Sequence, residues 1–290
     1  MPHADWAAFS FEGIGTHWEV STPHVLAPSA QQDLLALVEK FDAAWSRFRT
    51  DSLVSAMARK PGSYSFPAEA AGLGELYRTL YGLTGGAMTP LVGASLERLG
   101  YDAAYTLRPS GGPLPAPRWE DILDWNGTSI STTAPVVLDV GAAGKGLLVD
   151  VLASALDAGG VEAFMVDASG DLLVRGPGTV RVGLEHPYNP AQAIGVVELG
   201  GRALCASAAN RRAWGDGLHH VLDATTGQPV RTAVATWALA DTAAVADALA
   251  TALFFVPGAV LEESFDVSWL TVFSDGSAAF SAEFEGTLFA

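Results

Sequence analysis

The sequence predicts an α+β or mixed α/β fold, on three observations. Amphipathic helical stretches are interleaved with short β-rich runs. Tight glycine turns separate the runs. No internal repeat and no Pro/Ser-rich linker divides the 290 residues, so residues 1–290 read as a single domain.

The elements follow in order. Phe9 to Val20 alternates loosely and is rich in β-formers, which predicts a strand. Ser29 can cap a helix to about Phe48, with Leu34, Leu35, Leu37, Val38, Phe41 and Trp45 at helical spacing. A second helix over Ala68–Leu83 stops at Gly85-Gly86, where glycine accepts the left-handed conformation of a helix end. Arg108 to Pro117 is a Pro/Gly-rich loop. Val136 to Leu138 is a short apolar strand that runs into a glycine turn and a helix through about Leu156. Strands are expected at 163–166, 172–175, 180–184 and 194–199. A further strand covers Ala233–Ala240 and a helix runs from Asp241 to Phe255. Closing strands cover 267–273 and 278–289.

Composition narrows the function. The net charge is −16, and Lys40, Lys60 and Lys145 are the only lysines, which excludes non-specific nucleic-acid binding and docking on anionic membranes. The one cysteine, Cys205, excludes an internal disulfide and a multi-thiolate metal site. The most apolar helical run, Ala243 to Val256, is broken by Asp247 and is too short to span a bilayer. The N-terminus lacks a basic segment, an apolar run and an anchoring cysteine, so the expected location is the cytoplasm.

Three local features carry chemistry. Leu138-Asp139-Val140-Gly141-Ala142-Ala143-Gly144-Lys145-Gly146 joins a strand end to a helix start and gathers backbone amides suited to an anion such as a phosphate. A tight turn with a solvated lysine is the plain alternative. Its spacing is not that of a P-loop, and no dinucleotide fingerprint is present. Asp247 and Thr251 lie four apart on a small-residue helix and share a face. A carboxylate with a hydroxyl suits Mg²⁺, although an ordinary polar stripe has the same spacing. In Leu218-His219-His220-Val221-Leu222-Asp223, an extended strand would put His220 and Leu222 on one side. His220 suits proton transfer near neutral pH, zinc is a weaker option, and a strand histidine satisfied by the backbone is the plain reading.

The order of these segments resembles the ApbE family, the FAD:protein FMN transferases, over nearly the whole chain. Gly13-Ile14-Gly15-Thr16 is similar to the family's M-G-T strand, and Phe41-Asp42 with Ser46 to Ser52 to its FD…S-x-F-x-x-D-S segment. Gly86 to Gly93 is similar to G-A-x-D-P-T-V-G, and Leu138 to Gly146 to L-D-L-G-G-x-A-K-G. Val166 to Asp171 is similar to V-N-A-G-G-D, His220 to Gly227 to H-I-[IL]-D-P-x-T-G, and Ala246 to Ala252 to A-D-A-L-S-T-A. Ile14 stands in place of Met, Thr89 in place of Asp and Ala224 in place of Pro.

The resemblance implies an ApbE-type, T-fold-like domain. It also implies Mg²⁺-dependent transfer of FMN from FAD to a Ser or Thr of an acceptor flavoprotein, with release of AMP. Carried over by position, His220 is the general base, and Asp247, Thr251 and the Ala142 carbonyl are the metal ligands. FAD, as substrate, is met by Asp139, Lys145, Ala87, Met88, Thr89 and the Leu222 backbone, with Ile14 and Phe48 lining the ring pocket. Nucleic acid is not an expected partner and membrane insertion is not expected. A FAD pyrophosphatase and a non-catalytic FAD-binding protein stand as alternatives.

Overall fold

The structure is a computed structural model that describes residues 5–289. The reading of the N-terminus as leader-free rests partly on residues 1–4, which lie outside the described residues. Eight strands form one sheet in the order Ala7–Gly13, Thr16–Thr22, Phe164–Asp167, Asp171–Arg175, Ala203–Ala208, Ala233–Ala240, Ser268–Phe273 and Ala278–Phe280. Every neighbouring pair is antiparallel, so the α+β alternative is the one realised.

The central strands of this sheet are buried on both faces, and their parity shows how. Ala203, Cys205, Ala238 and Ala240 join the core beneath the helices. Leu204, Ala235, Trp237 and Leu239 join a second core with Val180, Leu184, Val197 and Leu199. Those last four lie on a smaller sheet of Val180–His186, Asn189–Leu199 and Gly286–Leu288. Alternate side chains point to opposite faces, so one strand serves two cores and reads as continuously apolar.

Several elements differ from the sequence expectation, each for a local reason. Phe9–Val20 is a hairpin rather than one strand: it turns at Ile14 (φ 41°) and Gly15 (φ 77°). An isoleucine rarely adopts that conformation, so nothing in the alternation marks the turn. The first long helix is Pro28–Trp45, with Ala27 as its N-cap and Pro28 in the first turn, not Ser29. Proline suits that place because its missing N–H has no helical partner there. The helix ends before Arg47 and Phe48, which frees both for the cavity described below. Val136–Leu138 forms no strand; Asp139 N–H instead donates to the Pro90 carbonyl at 2.8 Å. The segment 278–289 is two strands belonging to different sheets. Strand Ala203–Ala208, at the sheet's centre, was not anticipated, because ALCASA carries no β-branched residue.

Two helices position the site. Gly144–Ala158 packs across Ala243–Ala252, which begins later than expected and is capped by Thr242. Both Asp150 carboxylate oxygens accept the first amides of that second helix, from Ala243 and Ala244, at 2.8 Å each. The crossing point is Gly146: a Cβ there would fall 2.0 Å from the Ala243 carbonyl oxygen and 2.8 Å from the Asp247 Cβ. Backbone cannot yield as a flexible side chain does, so Gly146→Ala is expected to cost about 3 kcal/mol. A lowered urea midpoint would show it; an unchanged midpoint would mean the helices separate freely. Among the described residues, no helix is long and apolar enough to cross a membrane.

Candidate active site

Helix ends and turns from both halves of the sequence border one cavity of about 670 Å³. Ile14, Phe48, Ala87, Met88, Thr89, Asp139, Ala142, Lys145, His220, Leu222, Asp247 and Thr251 all line it. Residues up to 237 positions apart in sequence thus meet in one place.

Ala87, Met88 and Thr89 arrive by way of Gly85 and Gly86, whose φ values of 60° and 91° swing the chain off its helix. The Thr89 hydroxyl accepts the Leu91 amide at 3.3 Å and so caps a short 3-10 turn over Pro90–Val92.

The glycine turn does not form the expected cradle of amides. Gly141 N–H donates to Asp139 Oδ1 at 2.8 Å, and Gly146 N–H to Asp247 Oδ2 at 3.0 Å. Ala143 and Gly144 N–H both donate to the Val140 carbonyl. Four amides are therefore committed within the protein, and the turn serves to orient the two carboxylates instead.

Those carboxylates have different environments. Asp139 Oδ2 accepts from Arg47 Nε at 2.6 Å. Burial alone would raise its pKa, but the Arg47 guanidinium outweighs burial and holds the carboxyl below its ordinary value. Asp247 is 2% exposed. Burial, reinforced by the charge of Asp171, pushes its pKa up to about 7. Lys145 is not solvated: its ammonium is ion-paired to the buried Asp171 and lies 4.0 Å from Asp247 Oδ1. Burial would lower the lysine's pKa, yet the charges of these two carboxylates raise it above its usual value. Thr251, one turn beyond Asp247, places its hydroxyl 3.2 Å from that of Ser207.

The two histidines separate clearly. They do not lie on one continuous strand: His219 ends a two-residue bridge, and His220 sits at a bend before the next. The His219 ring accepts the Val221 amide at Nδ1 (3.3 Å), so Nε2 carries the proton and donates to the Val230 carbonyl at 2.8 Å. His219 is thus the satisfied structural histidine. His220 lines the cavity with a buried Nδ1 that has no hydrogen-bond partner. Burial, followed by the positive charge of Arg212, pushes its pKa down to about 3, so the ring is neutral at physiological pH and able to take a proton.

The sequence reading missed several lining groups. Arg47 is buried beneath aromatic rings, its guanidinium 4.2 Å from the Phe48 centroid and 4.9 Å from that of Tyr101. Tyr105 stacks on Phe48 at 5.0 Å with planes 15° apart, and Tyr101 meets Phe48 edge-on at 5.5 Å. Tyr101 also stacks on Trp214 at 5.7 Å. Ser207 and Arg212 complete the polar lining, and the fully buried Asp171 holds Lys145 without lining the cavity itself. The available signals were the closeness of Tyr101 and Tyr105 beside a Pro/Gly-rich loop and the places of Arg47 and Asp171 inside the segments Ser46 to Ser52 and Val166 to Asp171; Ser207 and Arg212 have no such signature.

The cavity thus combines stacked aromatic side chains, a neutral imidazole and several side-chain oxygens. The comparisons place the fold more closely. The ApbE family profile matches residues 14–265, so the chain belongs to the ApbE family. A Rhodobacter capsulatus protein named FAD:protein FMN transferase is 30% identical over 268 residues, which is 84% of this chain and 50% of the relative. The chain thus spans half the length of that relative. A Vibrio cholerae protein of the same name is 28% identical over 240 residues, covering 77% of this chain and 72% of its own. Among solved structures, the ApbE protein of Thermotoga maritima superposes with a TM-score of 0.85 at 23% identity, covering 97% of this chain and 99% of that one. The flavin transferase ApbE of Vibrio cholerae gives 0.78 at 22% identity, with 97% and 99% covered.

Proposed function

We propose that this protein is a Mg²⁺-dependent FAD:protein FMN transferase of the cytoplasm, residues 1–290 forming one functional unit. It joins the FMN phosphate of FAD to a Ser or Thr hydroxyl of an acceptor protein and releases AMP. One observation carries the reading: a neutral histidine with an unpartnered ring nitrogen shares a cavity with a buried carboxylate, a hydroxyl and a backbone carbonyl. The names of the curated relatives support it.

Asp247, Thr251 and the Ala142 carbonyl would hold Mg²⁺. The set fits, because all three donors are hard oxygens, and a single protein carboxylate leaves positions for water and phosphate oxygens. The bound ion would offset the charge of the diphosphate. Ile14 and Phe48 would flank the ring system, while Ala87, Met88, Thr89, Asp139, Lys145 and the Leu222 backbone contact the rest of FAD. His220 takes the proton of the acceptor hydroxyl. The freed oxygen attacks the FMN phosphorus, the bond from that phosphorus to the bridging oxygen breaks, and AMP departs with the electron pair.

The product distribution tests this reading. With FAD, Mg²⁺ and an acceptor, AMP should appear without free FMN, and only when the acceptor is present. FMN and AMP in equal amounts without acceptor would identify a pyrophosphatase, and neither product would identify a binding protein.

Mg²⁺ dependence should also follow pH. The ion binds the carboxylate, and the Asp247 pKa stands at about 7. Apparent Mg²⁺ affinity is therefore expected to fall up to about tenfold per unit below pH 7 and to level off above it. Mg²⁺ titrations at about pH 6 and about pH 8 check this. Equal affinities would remove Asp247 from the metal site.

A further inference from the structure

The charge pairing inside the cavity singles out one cation. Five basic side chains line it: Arg47, Arg49, Lys145, Arg211 and Arg212. Four are already paired with carboxylates. Arg47 bonds Asp139 and is sealed beneath the aromatic rings. Arg49 is shared among Glu39, Asp42 and Asp51. Lys145 is held by Asp171 and Asp247. Arg211 pairs with Glu185 at 2.8 Å.

Arg212 alone among these five has no carboxylate partner. Its Nη1 donates to the Tyr101 hydroxyl at 2.7 Å, and its guanidinium lies 5.9 Å from the Tyr101 ring centroid. Both contacts fix the group without neutralising it, since burial pushes the Tyr101 pKa up to about 12 and keeps that phenol uncharged. The arginine is half-buried, and its charge reaches His220, Asp139 and Asp247.

We infer that Arg212 is the protein's own diphosphate-binding cation, the group that meets the phosphates of FAD, while Lys145 borders the substrate with its charge already balanced by Asp171 and Asp247. The inference rests on the functional reading above. A planar guanidinium with its remaining N–H donors uncommitted matches phosphate oxygens, and the hydrogen bond it donates to the Tyr101 hydroxyl pre-orients it, so little side-chain freedom is lost on binding. Binding there also cancels a positive charge beside His220, which makes that ring a stronger base when substrate is present.

The test compares FAD with riboflavin, which has the same ring but no phosphate. Binding of each is followed by quenching of flavin fluorescence in wild type, Arg212→Gln, Arg212→Lys and Arg211→Gln. A charge-assisted bond to phosphate contributes about tenfold to a hundredfold in affinity. Arg212→Gln is expected to weaken FAD by that factor and to leave riboflavin within about twofold. Arg212→Lys should recover most of the loss, and Arg211→Gln should bind FAD like wild type. The salt dependence of FAD binding is a second readout and should be shallower in Arg212→Gln. Wild-type FAD affinity in Arg212→Gln, or equal losses for both flavins with no change in salt dependence, would overturn the assignment. A wild-type protein that transfers FMN while Arg212→Gln binds FAD normally removes this inference alone. A wild-type protein that binds no FAD removes the functional reading with it.

Discussion

Asp247→Asn is expected to lower FMN transfer by about a thousandfold at low Mg²⁺, with part of the loss returning at high Mg²⁺. The substitution keeps the side-chain shape, and its amide oxygen can still accept the Gly146 N–H that Asp247 accepts at 3.0 Å. Only the charge is lost. The protein should therefore fold and bind flavin while losing its sole proposed carboxylate ligand, and a carboxylate that anchors a catalytic ion is worth several kcal/mol of transition-state stabilisation. Removing a buried charge whose pKa already stands near 7 costs the fold little, because burial opposes the ionised form. Asp247→Ala should share the activity loss and the partial rescue. Full activity of either variant at low Mg²⁺ would show that the metal is held elsewhere.

His220→Ala is expected to lower turnover by about a hundredfold to ten-thousandfold while FAD still binds, the range typical of a lost general base. The neighbouring histidine is the control. His219 is bonded at both ring nitrogens to its own backbone surroundings, so His219→Ala leaves a buried carbonyl and amide without partners. It should cost about 1–3 kcal/mol of stability and spare the chemistry. The opposite pattern, with turnover surviving the loss of His220, would remove that residue from the base role.

The sequence made legible what local rules encode. Asp247 and Thr251 were readable as a pair because four residues make one helical turn. The turn around Lys145 was readable because glycine marks both a sharp bend and the close helix crossing at Gly146. Its purpose was not: whether amides greet an anion or brace two carboxylates depends on Val140 and Asp247, which no local pattern brings together. Arg47, Asp171 and Arg212 escaped for the same reason. A charged side chain acquires a role from its partner, and the partner of Arg47 stands 92 positions away. His219 and His220 are equivalent in the sequence, and only the bend between two short bridges decides which ring the backbone satisfies.

The most direct measurement is the mass of an acceptor protein after incubation with this protein, FAD and Mg²⁺, read together with flavin fluorescence on a denaturing gel. The acceptor should gain the mass of FMN less one water at a single Ser or Thr, and the label should be absent with His220→Ala or without Mg²⁺. An acceptor that keeps its original mass while FAD is cleaved or merely bound would contradict the assignment of this site to FMN transfer.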